Sequence, residues 1–357
     1  MFKFRNIDSF TPGRFERMGM LKGKRWYTGI QEIDENSREY ALVLFKPKRK
    51  EHGDKKVFCA NHYGEFVGYL LSLGSRTPAC KVELAHLSEY YENIHKERNN
   101  GTPEEKDGCI SYSQLERGQL LHHGKLVVDE YLRGNPSSDF EFKKYYENDI
   151  DICIKAIEEE TRRFYEKSSF KRSDEYIEAK VAENRKAALN MIVYDCLYGN
   201  NDRHDENWAM VKDLDGRDIS LYYLYDNERV LGLYENIRTV ESSLEKNSVE
   251  EDSEKTLFSR MTVPGQNAIS SSYKDVLKHI ISNYSEVGEL IETHLKGNPP
   301  MKVRMYLDSC ENLPKSYVEY GMKMYESRFN FAKELIRKSK ETNKKSLPEN
   351  PDELDNR

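Results

Sequence analysis

With 357 residues the chain can bury a large core and is long enough for two lobes. Its 37% hydrophobic and 33% charged residues make it polar, but 24 Tyr and 14 Phe supply apolar area with polar tips, which argues against global disorder. A formal net charge of −6 argues against direct nucleic-acid binding by bulk charge, and no apolar run approaches the roughly 18–20 residues of a membrane span. The opening Met-Phe-Lys-Phe-Arg is too charged for a secretory h-region. Six cysteines without a C-x-x-C pair read as reduced thiols, so a cytoplasmic location is expected.

Residues 25–33 and 38–46 read as strands joined by the turn-forming Asp34-Glu35-Asn36-Ser37. Along the second strand Tyr40, Leu42, Leu44 and Lys46 share one face by the period of two, and Pro47 ends it. A basic loop over 48–56 leads to a helical pattern at 57–73, with Gly74 as its stop. Short strand patterns follow at 80–84 and 109–112, separated by a polar stretch over 92–107, and the chain turns polar again over 116–124. This first part, residues 1–120, is expected to be a β-rich lobe carrying one main helix.

Residues 121–340 read as a helical lobe. Helices are expected at 150–165 and 174–198, the second with an apolar stripe of Leu189, Ile192, Val193 and Cys196 and with Gly199 as its cap. After a loop over 200–206, strand patterns at 208–211 and 219–225 flank the turn Asp213-Leu214-Asp215-Gly216. The Ser- and Glu-rich stretch 241–256 reads as a loop, and helical patterns resume at 272–295, 300–311 and 317–338. Residues 341–357 form a polar tail.

The chemistry concentrates in Asn201-Asp202-Arg203-His204-Asp205-Glu206-Asn207 and in Asp226, one hairpin later. Asp202 and Asn207 stand five residues apart, the spacing at which protein kinases place a catalytic base and a metal-holding amide. Asp226 ends the apolar run Leu221-Tyr222-Tyr223-Leu224-Tyr225, a position from which a carboxylate can face a metal; Asn227-Glu228 after it departs from Asp-Phe-Gly. A nucleotide site also needs a strand lysine for the α and β phosphates, fixed by a helix carboxylate. Lys46 and Glu65 lie in the right order for this, with Glu51 and Glu83 as rivals for the carboxylate. For the phosphate-covering loop the chain offers only the basic turn of Gly19, Lys22, Gly23 and Lys24, which does not match G-x-G-x-x-G. A rival reading takes Asp202, His204 and Asp205 as ligands of a metallophosphoesterase, which would need further His and Asp sites.

With Tyr40-Ala41-Leu42-Val43-Leu44-Phe45-Lys46-Pro47, Asn201-Asp202-Arg203-His204, Asn207 and Asp226 in hand, the chain resembles the HipA-like serine/threonine kinases of bacteria. The resemblance implies an α+β, protein-kinase-like bilobal fold. It implies Asp202 as base, Asn207 and Asp226 as Mg2+ ligands and Lys46 as the ATP lysine. Its further implications are a protein serine or threonine as acceptor and, as toxin of a toxin–antitoxin pair, a small antitoxin partner. Asp-Arg-His-x-x-Asn is also similar to the catalytic loop of phosphatidylinositol kinases, which leaves a lipid or small-molecule acceptor as the alternative. A pseudokinase that binds nucleotide without transfer is the third class.

Overall fold

The computed structural model describes residues 5–6, 11–12, 25–34, 37–48, 59–86, 106–135, 149–255, 263 and 271–345. Strands β1 (Arg5–Asn6), β2 (Thr11–Pro12), β3 (Arg25–Asp34) and β4 (Ser37–Pro47) precede helix α1 (Asn61–Ser75), and β5 (Val82–His86) and β6 (Asp107–Tyr112) follow it. They form one six-stranded sheet in the order β1-β5-β6-β4-β3-β2. The β3–β4 hairpin pairs Trp26 with Leu44 and Thr28 with Leu42, and β4 then pairs Lys46 with Cys109 of β6. Alternation gives β4 two different faces: Val43 and Phe45 are fully buried, whereas Leu42 and Leu44, on the side of Lys46, are half-buried.

Helix α1 starts later than the pattern at 57–73 suggests, and its stop is Arg76 (φ 56°) rather than Gly74. The polar stretch at 116–124 contains a further strand, β7 (Gln119–His123), followed by α2 (Gly124–Gly134). Both escape a reading by composition, because β7 is only half-buried and α2 fully buries only Gly124, Val127 and Val128.

Helices α3 (Ile150–Lys167) and α4 (Asp174–Tyr198) then lie against each other. Asp149 caps α3 by accepting from the Asp151 and Ile152 amides, and Ser173 caps α4 by accepting from the Tyr176 amide. The α4 stripe of Leu189, Ile192, Val193 and Cys196 is buried as its spacing predicts. Gly199 closes the helix at φ 74°, a left-handed conformation that costs glycine nothing.

After α4, strands β8 (Ala209–Asp213) and β9 (Ile219–Leu221) join β7 in a second, three-stranded sheet ordered β7-β8-β9. The strand expected over 219–225 ends at Leu221. Tyr222 still donates its amide to the Ala209 carbonyl at 2.8 Å, but Leu224 pairs with residues 78–80: its amide donates to the Pro78 carbonyl at 2.9 Å and the Cys80 amide to its carbonyl at 2.8 Å. This ties the segment before Asp226 to the chain that leaves α1.

The stretch expected as a loop over 241–256 is instead mostly helical, as α5 (Ile237–Glu245) and α6 (Val249–Lys255). Asn236 caps α5 from its side chain, Val240 is fully buried, and Ile237 and Leu244 are half-buried on the same stripe. That apolar spacing of three and four decides the outcome over the polar composition. The pattern at 272–295 is two helices, α7 (Tyr273–Asn283) and α8 (Val287–Gly297), because Tyr284 turns extended (φ −131°, ψ 112°). Helices α9 (Pro300–Asp308) and α10 (Lys315–Lys345) complete the described chain. The result is α+β, with small sheets towards the N-terminus and a mainly helical C-terminal region. No described helix is long and apolar enough to cross a membrane.

The tyrosines use both ends, as their number suggests. Tyr194 and Tyr198 are fully buried in the core, yet Tyr194 donates to the Gly68 carbonyl of α1 at 2.7 Å, and Tyr198 accepts from Asn298 Nδ2 at 2.7 Å. Asn298 also donates to the Leu71 carbonyl of α1 at 2.8 Å. All six cysteines are buried and unbridged, and burial pushes the Cys80 and Cys310 thiols up to about 11 and about 12.

His294 sits in the same network, with Nε2 2.8 Å from Asn190 Oδ1 and Nδ1 3.2 Å from the Tyr198 hydroxyl. Burial pushes its imidazole down to about 3. In the unfolded chain it titrates near ~6.5, so between those values only the unfolded state binds the proton. The stability this residue contributes is therefore fully present above that unfolded value and is lost as pH falls, by about 1.4 kcal/mol per pH unit. Urea unfolding of His294→Gln across that window should give a pH slope shallower than wild type by about this amount. An unchanged slope would assign the titration to other groups.

Candidate active site

Lys46, at the end of β4, reaches two carboxylates from two other parts of the chain. Its Nζ pairs with Glu65 Oε1 on α1 and lies 2.8 Å from Asp226 Oδ1, with Lys46 5% and Glu65 1% exposed. Burial alone would lower the pKa of the ammonium, but Asp226 and then Glu65 outweigh it and hold it well above its ordinary value. Glu83, one rival for the carboxylate, is engaged with Lys81 and the Tyr112 hydroxyl; Glu51 lies outside the described residues.

Glu65 reaches this point because α1 is smooth on either side of it. A Cβ at Gly64 would sit 2.1 Å from the Glu228 carbonyl oxygen, and one at Gly68 would sit 2.8 Å from the Asn227 Cβ. Two glycines one turn apart thus let the helix lie directly on the segment after Asp226. The second oxygen of Glu65 accepts from the Asn227 amide at 3.1 Å, so one carboxylate orients both the lysine and the backbone beside Asp226. Asp226 itself has φ 58°, a left-handed conformation that aspartate tolerates better than most residues.

The loop after Gly199 is organised from within. Asn207 Nδ2 donates to the Asp202 carbonyl at 2.7 Å, closing the loop across its five-residue spacing. Arg203 is completely buried and joins the loop to everything behind it. Its Nε and Nη2 donate to the two oxygens of Asp195 at 2.9 and 3.1 Å; Nη1 donates to the Asn207 and Tyr225 carbonyls, each at 2.6 Å; Nη2 also donates to Asn227 Oδ1 at 2.7 Å. One guanidinium therefore fixes the residue before Asp226, the residue after it, and Asn207. Asp202 keeps its carboxylate outward, 31% exposed, with Oδ2 3.3 Å from Arg229 Nε. His204 faces the same loop, where its Nδ1 accepts from the Glu206 amide at 3.2 Å.

The structure thus brings Lys46, Glu65 and Asp226 into direct contact, and Asn207 and Asp226 are linked through Arg203. Gly19, Lys22, Gly23 and Lys24 lie outside the described residues. Several groups at the site were not singled out from the sequence: Asp195, Arg203 as the joining residue, Asn227, Glu228 and Arg229. Gly64 and Gly68 flanking Glu65 were a readable signal, and so was a lone aspartate inside the apolar end of α4. Glu65, Asp226 and Glu228 place ligand oxygens within 4.8 Å of one another. Among the described residues Lys46 pairs with Glu65 and Asp226, and carboxylate oxygens of this kind suit Mg2+.

Among the described residues His122, Glu130 and Glu160 form a second grouping of metal-ligand types. Lys212 lies 2.7 Å from His122 Nδ1 and pairs with Glu160, while Arg163 pairs with Glu160 and lies 2.6 Å from Glu130. Cations already neutralise these groups, so they do not supply the additional ligands that the metallophosphoesterase reading requires.

No protein-family profile matches the chain, and no curated protein matches its sequence. Among solved structures it is similar to CtkA, a proinflammatory kinase of Helicobacter pylori, with a TM-score of 0.68 at 14% identity over 97% of this chain and 100% of that one. HipA, solved with HipB and operator DNA from the Shewanella oneidensis MR-1 toxin–antitoxin system, matches at a TM-score of 0.44 and 10% identity, over 94% of this chain and 68% of that one. The fold is kinase-like.

Proposed function

We propose that the chain is an ATP- and Mg2+-dependent phosphotransferase acting on a serine or threonine hydroxyl of a protein. The observation that carries this reading is the contact of Lys46 with both Glu65 and Asp226, which joins the sheet, α1 and the segment after the second sheet at one buried point. A purely structural lysine needs one partner; an ammonium held between two carboxylates beside a partly open loop is what anchoring a polyphosphate requires. Leu42 and Leu44, half-buried on the Lys46 face of β4, offer an apolar surface beside it for a nucleotide base.

In this reading Asn207 and Asp226 hold the metal, with Glu228 as a third oxygen donor within reach of Asp226. Bound Mg2+ supplies neutralisation of phosphate charge. Lys46 orients the α and β phosphates, and Glu65 keeps Lys46 from swinging away. Asp202 accepts the acceptor hydroxyl's proton as that oxygen bonds to the γ-phosphorus. The bond from the same phosphorus to its β,γ-bridging oxygen breaks, and ADP departs with the electron pair. A toxin role with a small antitoxin partner belongs to the sequence resemblance alone and forms no part of what we propose.

The test is transfer from γ-labelled ATP with Mg2+, offered a generic protein, phosphatidylinositol vesicles and water as acceptors. Label should pass to protein, and Lys46→Met, checked by thermal melting for a retained fold, should lower the rate by about 10²-fold or more. Label on lipid would move the acceptor class to the phosphatidylinositol-kinase alternative. Transfer undiminished in Lys46→Met would remove the assignment of the site.

A further inference from the structure

Arg229 stands three residues beyond Asp226, and its guanidinium faces the carboxylate of Asp202 with Nε 3.3 Å from Oδ2. The pairing is incomplete. Nε is buried yet makes no hydrogen bond, and Nη1 reaches Asn201 Oδ1 only at 3.4 Å. The guanidinium carbon lies 4.3 Å from the centroid of the Tyr234 ring, a cation–π contact that uses no donor. The contrast with Arg203 is direct: that guanidinium is fully buried and spends its donors on five short hydrogen bonds. Arg229 is 28% exposed and poorly satisfied beside the proposed base. A planar fork of strong donors in that condition matches a phosphate better than the single carboxylate oxygen it faces.

We infer that Arg229 binds the γ-phosphate of the nucleotide, a role that rests on the phosphotransferase reading above. It reaches the transferred group from the same chain, and charge building on the γ-phosphoryl oxygens falls to its guanidinium. Serving both groups, it releases Asp202 to an acceptor hydroxyl only when a γ-phosphate takes its donors. Availability of the base is thereby coupled to the triphosphate and not to the diphosphate.

Calorimetric titration of the full chain with Mg2+ and either ADP or the non-hydrolysable β,γ-imido analogue of ATP tests this by equilibrium binding. Arg229→Gln should bind the triphosphate analogue at least about tenfold more weakly than wild type while ADP affinity stays unchanged. Arg229→Lys, which keeps the charge without the fork, should fall between the two and carries the same comparison if the Gln variant melts early. Turnover of Arg229→Gln should fall by about 10³-fold. Equal losses for ADP and the analogue, or no loss for either, overturn the role of Arg229 and leave the phosphotransferase reading standing. Wild-type protein that binds neither nucleotide overturns both.

Discussion

Asp202→Asn is expected to lower phosphoryl transfer by about 10²–10⁴-fold while leaving the fold close to wild type and triphosphate affinity no weaker than wild type. The amide has the size of the carboxylate but cannot take a proton from the acceptor. The loop does not depend on the lost charge, since Asn207 closes it through the Asp202 backbone carbonyl. The carboxylate's one ion pair among the described residues is with Arg229, at 3.3 Å. Rate measurements with γ-labelled ATP, paired with calorimetric affinity for the triphosphate analogue and a thermal melt, separate the chemical step from binding and folding. A variant that keeps activity within a few-fold would show that Asp202 is not the base.

Arg203→Ala should act on stability first. Removing the guanidinium leaves Asp195, fully buried, without its counter-charge, and strips donors from the Asn207 and Tyr225 carbonyls and from Asn227. Breaking a buried pair in this way costs about 3–5 kcal/mol. For a chain of this size that lowers Tm by about 4–7 °C. The double variant Arg203→Met with Asp195→Leu removes both charges and should recover part of the loss, giving a large coupling term in a double-mutant cycle. It does not restore donors to Asn207 and Tyr225, so activity should stay low even where stability returns. Recovery of activity together with stability would show that the loop is held by other contacts. So would a single-variant loss below about 1 kcal/mol, the size expected for an ordinary hydrogen bond.

Local patterns carried much of this architecture. The β3–β4 hairpin, the α4 stripe with its Gly199 cap, and the order strand–helix–loop–hairpin are fixed by residues close in sequence, and the structure shows them. The meeting of Lys46 with Glu65 was legible as an order of elements but not as a choice of partner. Glu51, Glu65 and Glu83 are the same residue type, and what selects Glu65 is the flat surface made by Gly64 and Gly68 against residues 227–228. Arg203 looked like part of a motif, and its joining role is invisible from the loop because its partners come from α4, from the loop itself and from beyond β9. Composition misled at residues 241–256, where serine and glutamate concealed the spacing of Ile237, Val240 and Leu244.

The bonds that seat α1 also decide what can move. Its backbone is tied to Tyr194 through the Gly68 carbonyl and to Asn298 through the Leu71 carbonyl, and Gly64 rests on the carbonyl of Glu228. A helix anchored at three successive turns to the C-terminal region cannot pivot as a lever on its own. Any motion of the C-terminal region relative to the six-stranded sheet would therefore carry α1 along with it. Lys46 is one link across that boundary, joining β4 to Glu65 and Asp226, beside the Leu224 bonds to Pro78 and Cys80.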